Sequence, residues 1–123
     1  MTTVLSYAGG ATAAAWGIAH LIPTRNVVAG FGALSDDNRN IITMEWITEG
    51  VFLIFLGALI VVTTTIDQGA QVSRAVSFAA AAGLVALTVV SLFTGFKVRF
   101  LPYRLCPVIF TTSAALILAG ALV

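Results

Sequence analysis

Four long apolar stretches dominate this chain of 123 residues. A helix that crosses a bilayer core of about 30 Å needs about 20 mostly apolar residues, and each stretch is near that length. None of them alternates polar and apolar residues as the strands of a membrane β-barrel do. The sequence therefore predicts one all-α integral membrane domain, an up-down bundle of four transmembrane helices. The predicted spans are approximately residues 4–22, 44–65, 72–93 and 105–123.

Composition excludes most other classes of protein. Charged side chains make up 9% of the chain, whereas an average soluble domain has about 25%. The net charge of +1 and the lack of a basic tract argue against a nucleic-acid partner. A single cysteine, Cys106, excludes a disulfide scaffold and is predicted to be inert.

The positive charges predict the orientation in the membrane. Arg74 is alone on one side of the predicted bundle, and the other five Lys and Arg residues lie in the two long connections on the opposite side. Because cytoplasmic loops are enriched in Lys and Arg, we expect both connections in the cytoplasm and both termini on the non-cytoplasmic side. The five are Arg25, Arg39, Lys97, Arg99 and Arg104.

Small residues at four-residue spacing predict where the helices touch. Two spans carry such a stripe, and small side chains let membrane helices approach closely. Ala-rich spans also produce this spacing by chance, and the pattern does not separate contacts within one chain from contacts between copies. The stripes are Gly9, Ala13 and Gly17 in the first span, and Ala75, Ala79 and Gly83 in the third.

The connections carry signals of helix ends. The segment Ser35 to Asn38 predicts a helix start, so the second helix begins before the membrane and runs past 25 residues. Residues 24–34 are predicted to lie along the membrane surface or to fold over the mouth of the bundle. Pro107 is predicted in the first turn of the fourth span, where its missing N–H is harmless.

Three ionisable residues lie inside or at the edge of the spans: His20, Glu45 and Glu49. Such groups are costly at membrane depth and usually face the bundle interior. The rise of 1.5 Å per residue places His20 and Glu49 at the same level near the cytoplasmic boundary. Glu45 lies one turn nearer the water, on the same helix face as Glu49.

Three hypotheses account for these polar residues. They form a structural clasp that suits the helix dipoles, or they line a pocket for a lipid, quinone or other amphiphile, or they ligate a metal. The metal hypothesis is the least favoured, because there is no second histidine and the one cysteine lies on another helix. We therefore predict no metal site.

Aromatic and basic residues surround this polar group. Trp16 and Trp46 fit an interfacial aromatic belt or, alternatively, a ligand-stacking role. Residues 94–104 alternate aromatic and basic side chains, which suits a headgroup layer. Their cations either form an anionic-ligand site facing Glu45 and Glu49 or are neutralised by these carboxylates. The candidate ligand-binding residues are therefore His20, Glu45, Glu49, Trp16, Trp46, Lys97, Arg99 and Arg104.

The most distinctive string is Met44-Glu45-Trp46-Ile47-Thr48-Glu49-Gly50. With four spans, a polar end on the first helix and acidic residues entering the second, the chain resembles small four-helix bacterial membrane families, DoxX-like proteins among them. The resemblance is architectural and covers the whole length in outline. It implies an accessory membrane subunit or a redox-linked protein of the bacterial cytoplasmic (inner) membrane, and it transfers no catalytic residue.

These observations favour a non-enzymatic membrane protein. It is expected to act as an accessory subunit or as a binder of lipids or small amphiphiles, with its polar site at the cytoplasmic ends of the first two helices. Partners are membrane lipids and a larger complex or further copies of the chain. The alternatives are a quinone-linked oxidoreductase component, with His20 and Glu49 handling protons, and a small oligomeric transporter. No nucleophile triad, phosphate loop or haem motif is present, so no catalytic residue or cofactor is assigned.

Overall fold

The computed structural model describes residues 2–123, and this part of the chain is all-helical, with no strand. The all-α prediction is therefore confirmed. A short 3-10 turn at Gly95–Lys97 precedes the last helix. The helices are α1 (Thr2–Leu21), α2 (Thr24–Ala29), α3 (Asp36–Asp67), α4 (Gln71–Phe93) and α5 (Leu101–Leu122).

Three of the helices are long and apolar enough to cross a membrane. They are α3, α4 together with the turn that follows it, and α5. The 20-residue α1 does not meet the same criterion. Its sequence is rich in Gly, Ala, Ser and Thr, which lowers its hydropathy but makes its surface smooth.

The small residues of α1 bring it close to two neighbours, α3 and α5. A Cβ atom at Gly17 would lie 2.7 Å from the carbonyl oxygen of Gly50 in α3. A Cβ atom at Gly9 would lie 2.7 Å from the side chain of Ile117 in α5. Ala13, between the two glycines, is fully buried. The predicted contact stripe of α1 is therefore confirmed as a contact within the chain.

The equivalent stripe of α4 makes no close contact within the chain, and the prediction of a contact between copies stays open. Ala75 and Ala79 are exposed and Gly83 is half-buried. The buried face of α4 instead carries Ser73, Ser77, Ala80, Ala81 and Leu84. The reason is that α4 meets the core through Leu84, which packs in one cluster with large side chains such as Leu53 and Phe110.

The observed starts of α3 and α5 can be compared with the helix starts predicted from the sequence. Ser35 precedes α3 and its Oγ accepts a hydrogen bond from the Asn38 amide at 3.2 Å, so the predicted start and the long helix of 32 residues are confirmed. The fourth predicted span starts too late, because α5 already begins at Leu101. Pro102 takes the tolerated place in the first turn, and Pro107 lies inside the helix instead.

Hydrogen bonds between helices fasten the half of the bundle that contains the N-terminal half of α1. The Gln68 side-chain amide donates to the Gly120 carbonyl oxygen at 2.8 Å and to Ser6 Oγ at 3.2 Å. The buried Ser113 Oγ donates to the Gly9 carbonyl oxygen at 2.7 Å. We call this region, around Ser6, Gly9, Gln68, Ser113 and Gly120, the closed half.

Candidate functional site

The opposite half of the bundle contains a cavity of about 860 Å³. It lies between the last turns of α1, the first half of α3, the end of α4 and the first turns of α5. We call it the open-end cavity. Its walls are mainly apolar, and they include six aromatic side chains: Trp16, Phe31, Trp46, Phe52, Phe100 and Tyr103.

Side-chain size explains why the bundle opens here. In the closed half, glycines let the helix backbones touch, as at Gly9 and Gly120. At the level of the cavity α1 and α3 still touch, at Gly17 and Gly50, but large rings such as Trp16 and Phe52 line the space beside them. Phe31, after the short helix α2, also lines the cavity, so the first connection reaches the mouth of the bundle. This agrees with the second of the two placements predicted for residues 24–34.

His20 occupies the last turn of α1 and is only 8% exposed. Its ring stacks on Trp46 of α3, with the ring centroids 3.9 Å apart and the planes 17° from parallel. The Trp46 indole N–H also donates to the backbone carbonyl oxygen of His20 at 2.9 Å. Because the last carbonyls of a helix lack partners within the helix, this bond caps the end of α1 and fixes both rings.

His20 and Glu49 lie side by side, at the common level that the helix rise predicts. His20 Nε2 is 3.6 Å from Glu49 Oε2, a distance that allows charge attraction but exceeds the hydrogen-bond limit. Within residues 2–123, Nε2 is buried and has no hydrogen-bond partner. The Glu49 side chain is 36% exposed and lines the cavity. A polar pair with unused hydrogen-bonding capacity therefore faces an apolar space.

The aromatic rings continue from this pair across to α5. The rings of Trp46 and Tyr103 meet edge to face at 5.6 Å, and those of Tyr103 and Phe100 do so at 5.9 Å. Edge-to-face packing of this kind is the preferred geometry of aromatic pairs. The series from His20 to Phe100 joins α1, α3 and the start of α5 along the cavity wall.

The predicted site residues divide into two groups. Five of the eight line the cavity, and the three basic residues of the last connection do not. The five are Trp16, His20, Glu45, Trp46 and Glu49, and the three are Lys97, Arg99 and Arg104.

Local geometry explains where the basic residues go. Between the 3-10 turn and α5 the chain bends over three residues, and its side chains divide between the cavity and the outside. Val98 and Phe100 line the cavity, whereas Lys97 and Arg99 are exposed outside its lining. The Arg104 guanidinium packs 5.2 Å from the centre of the Phe96 ring. The structure therefore does not place these cations in the cavity opposite Glu45 and Glu49.

Glu45 does not complete a metal site with His20 and Glu49. Among residues 2–123, no three His, Cys, Asp or Glu side chains gather closely enough to hold a metal ion. The arrangement of His20 and Glu49 is suited instead to holding the polar head of a ligand, with the aromatic walls around its apolar body.

Tyr103 and Cys106 of α5 are among the cavity residues that sequence reasoning missed. They are three residues apart and therefore share a helix face. The signal was hidden because the fourth helix was predicted to begin at residue 105. Cys106 is buried, and its thiol donates a weak hydrogen bond to the Pro102 carbonyl oxygen at 3.5 Å.

Comparisons of the chain with protein-family models, with curated proteins and with solved structures find no match.

Proposed function

We propose that this is an integral membrane protein that binds a small amphiphile in the open-end cavity. The observation that carries the proposal is the combination of an aromatic cavity of about 860 Å³ with the His20–Glu49 pair in its wall. Ligand pockets typically measure about 300–1,000 Å³ and are mostly apolar, with a few polar groups that orient the ligand. Both features are met here.

The proposal includes a fourth span, α1, and a cytoplasmic position for the open end. The packing of α1 against α3 and α5 supports this, because a helix held between two membrane-spanning helices shares their environment. The excess of Lys and Arg at the open end supports its cytoplasmic location. Both termini then lie outside, in a protein of the bacterial inner membrane.

An alkaline phosphatase fused after Val123 is expected to be active, and a green fluorescent protein at that place to be dark. The reverse result contradicts this orientation.

The two tryptophans of the chain both line the cavity, so intrinsic fluorescence reports its occupancy. Titration of the protein in maltoside micelles with decylubiquinone or a lysolipid is expected to give saturable quenching. Phe52→Ala removes a cavity wall and weakens binding, whereas Phe55→Ala, outside the lining on the same helix, leaves it unchanged. Unsaturable quenching by every amphiphile, or equal effects of the two variants, contradicts the proposal.

A quinone-linked redox role is a second candidate, and the partnerless His20 Nε2 beside Glu49 favours it. This pair suits transfer of the protons that accompany quinone reduction. The candidate predicts that decylubiquinone binds more tightly than a lysolipid and that His20→Phe abolishes the preference. Equal affinities for the two ligands count against it.

An accessory-subunit role is a third candidate. α4 is the least buried of the three candidate spans and exposes its stripe of small residues. Small residues are the usual contacts between membrane helices. Native mass spectrometry of the gently solubilised protein is expected to show a larger complex or further copies of the chain. A lone monomer under these conditions excludes this role.

A further inference from the structure

The charge of the open-end cavity has one sign. Glu45 and Glu49 line it, and no Lys or Arg among residues 2–123 does so. Lys97 and Arg99 are exposed and do not line the cavity, although Val98 and Phe100 beside them do. An anionic head group in this space would face two carboxylates with no cation beside it, whereas a cationic head group would be attracted by both.

The aromatic walls favour the same sign. The faces of Trp, Tyr and Phe rings attract cations, and this attraction grows when the cation is removed from water. Trp46 and Tyr103 line the same cavity as Glu49, and their rings meet edge to face. A cation held by the Glu49 carboxylate therefore lies near aromatic surface. This combination is typical of sites that recognise quaternary ammonium and similar ions.

His20, which lies beside Glu49, supplies a further observation. It is 92% removed from solvent, lines the cavity, and has no hydrogen-bond partner at Nε2 among the described residues. A buried polar nitrogen without a partner costs free energy unless a ligand or water satisfies it. Its position beside Glu49 marks where the head group of a ligand lies.

We propose that the open-end cavity selects lipophilic organic cations, meaning an ammonium or phosphonium centre attached to an apolar body. The carboxylates and rings hold the charged centre, and the apolar walls hold the body. This inference rests on the amphiphile binding proposed above and adds the sign of the ligand's charge.

Tetraphenylphosphonium and tetraphenylborate provide the test, because they match in shape and apolar surface and differ in charge. Tryptophan fluorescence and titration calorimetry measure their binding to the protein in maltoside micelles. We expect the cation to bind at least about tenfold more tightly than the anion. Equal or tighter binding of the anion overturns the inference. Lysophosphatidylcholine, whose ammonium is balanced by a phosphate, is expected to bind more weakly than the cation, and tighter binding identifies a lipid site instead.

Three substitutions test whether the cation binds in the cavity. Glu49→Gln and Glu45→Gln are each expected to weaken binding of the cation by about tenfold while leaving a neutral amphiphile unaffected. Glu45 is exposed, so Glu45→Gln is expected to fold normally. It provides the test if Glu49→Gln folds poorly. Lys97→Gln, outside the lining, is the matched control and is expected to bind the cation normally. Unchanged cation binding in both glutamate variants contradicts the inference.

The outcomes separate this inference from the proposed function. If a neutral amphiphile binds in a way that depends on Phe52 and the cation does not bind, the cavity is a ligand site without charge selection. If neither binds saturably, the proposed function fails together with the inference.

Discussion

The two halves of the bundle use the same helices for opposite purposes. In the closed half, α1 and α5 touch through Gly9 and Gly120, and Gln68 joins Ser6 to Gly120 by hydrogen bonds. In the open half, α1 and α3 still touch at Gly17 and Gly50, but aromatic rings line a cavity beside them. The polar pair of His20 and Glu49 is left short of a hydrogen bond there. The contrast separates residues that stabilise the fold from residues that are free to bind.

The largest expected effect lies where α1 and α3 cross, at Gly57. A Cβ atom there would overlap the Gly10 carbonyl oxygen and lie 2.7 Å from the Ala14 backbone nitrogen. Gly57→Ala is therefore expected to lower the free energy of unfolding by about 1–3 kcal/mol, because backbone atoms yield poorly to overpacking. Thermal unfolding in micelles measures it.

Gly83→Ala is the matched control for Gly57→Ala. The nearest atom to its Cβ would be Leu56 Cδ1 at 4.0 Å, an ordinary contact. Since alanine favours a helix interior over glycine by about 0.5–1 kcal/mol, this variant is expected to be neutral or more stable. Similar losses in both variants would contradict the close α1–α3 packing.

The next effect concerns the hydrogen bonds of the closed half. Gln68→Ala removes both bonds of the side-chain amide and is expected to cost about 1 kcal/mol of stability. Gln71→Ala, at the exposed start of α4, is expected to leave the unfolding temperature unchanged. Equal unfolding temperatures for the two variants would show that Gln68 does not fasten this half.

The open half is expected to respond in binding more than in stability. The His20–Glu49 contact is long and one side chain is partly exposed, so Glu49→Gln is expected to change the free energy of unfolding by less than about 1 kcal/mol. The structural-clasp hypothesis expects a clear loss of stability instead. Thermal unfolding, measured beside tetraphenylphosphonium binding on the same sample, decides between the two.

The smallest expected effect is the difference in how fast a reagent alkylates a thiol in each half. Cys106 lines the cavity, so N-ethylmaleimide is expected to alkylate it slowly, and bound tetraphenylphosphonium is expected to slow the reaction further. A Cys106→Ser, Ser113→Cys variant moves the thiol into the closed half, where Ser113 is fully buried, and is expected not to react. Mass spectrometry follows both reactions. Faster alkylation at position 113 would reverse the assignment of open and closed halves.

Local signals in the sequence predicted much of this structure. Apolar length predicted the helices, Ser35 predicted the start of α3, and the helix rise predicted the common level of His20 and Glu49. Predictions failed where a residue pattern fitted two arrangements. Pro102 and Pro107 both suit a helix start, and the small residues of α4, which make no close contact within the chain, also fit a contact between copies.

The sequence by itself determined that the protein is all-helical and apolar. It also predicted that one histidine and two glutamates lie at the same end of the bundle, on two neighbouring helices. Only the tertiary structure decided that Lys97 and Arg99 lie outside the cavity and that Tyr103 and Cys106 line it together with Glu45 and Glu49. The physical reason is the distance along the chain over which each property is determined. Hydropathy, capping and helix rise depend on neighbouring residues, whereas a cavity depends on how closely distant backbones approach and on which side chains fill the space between them.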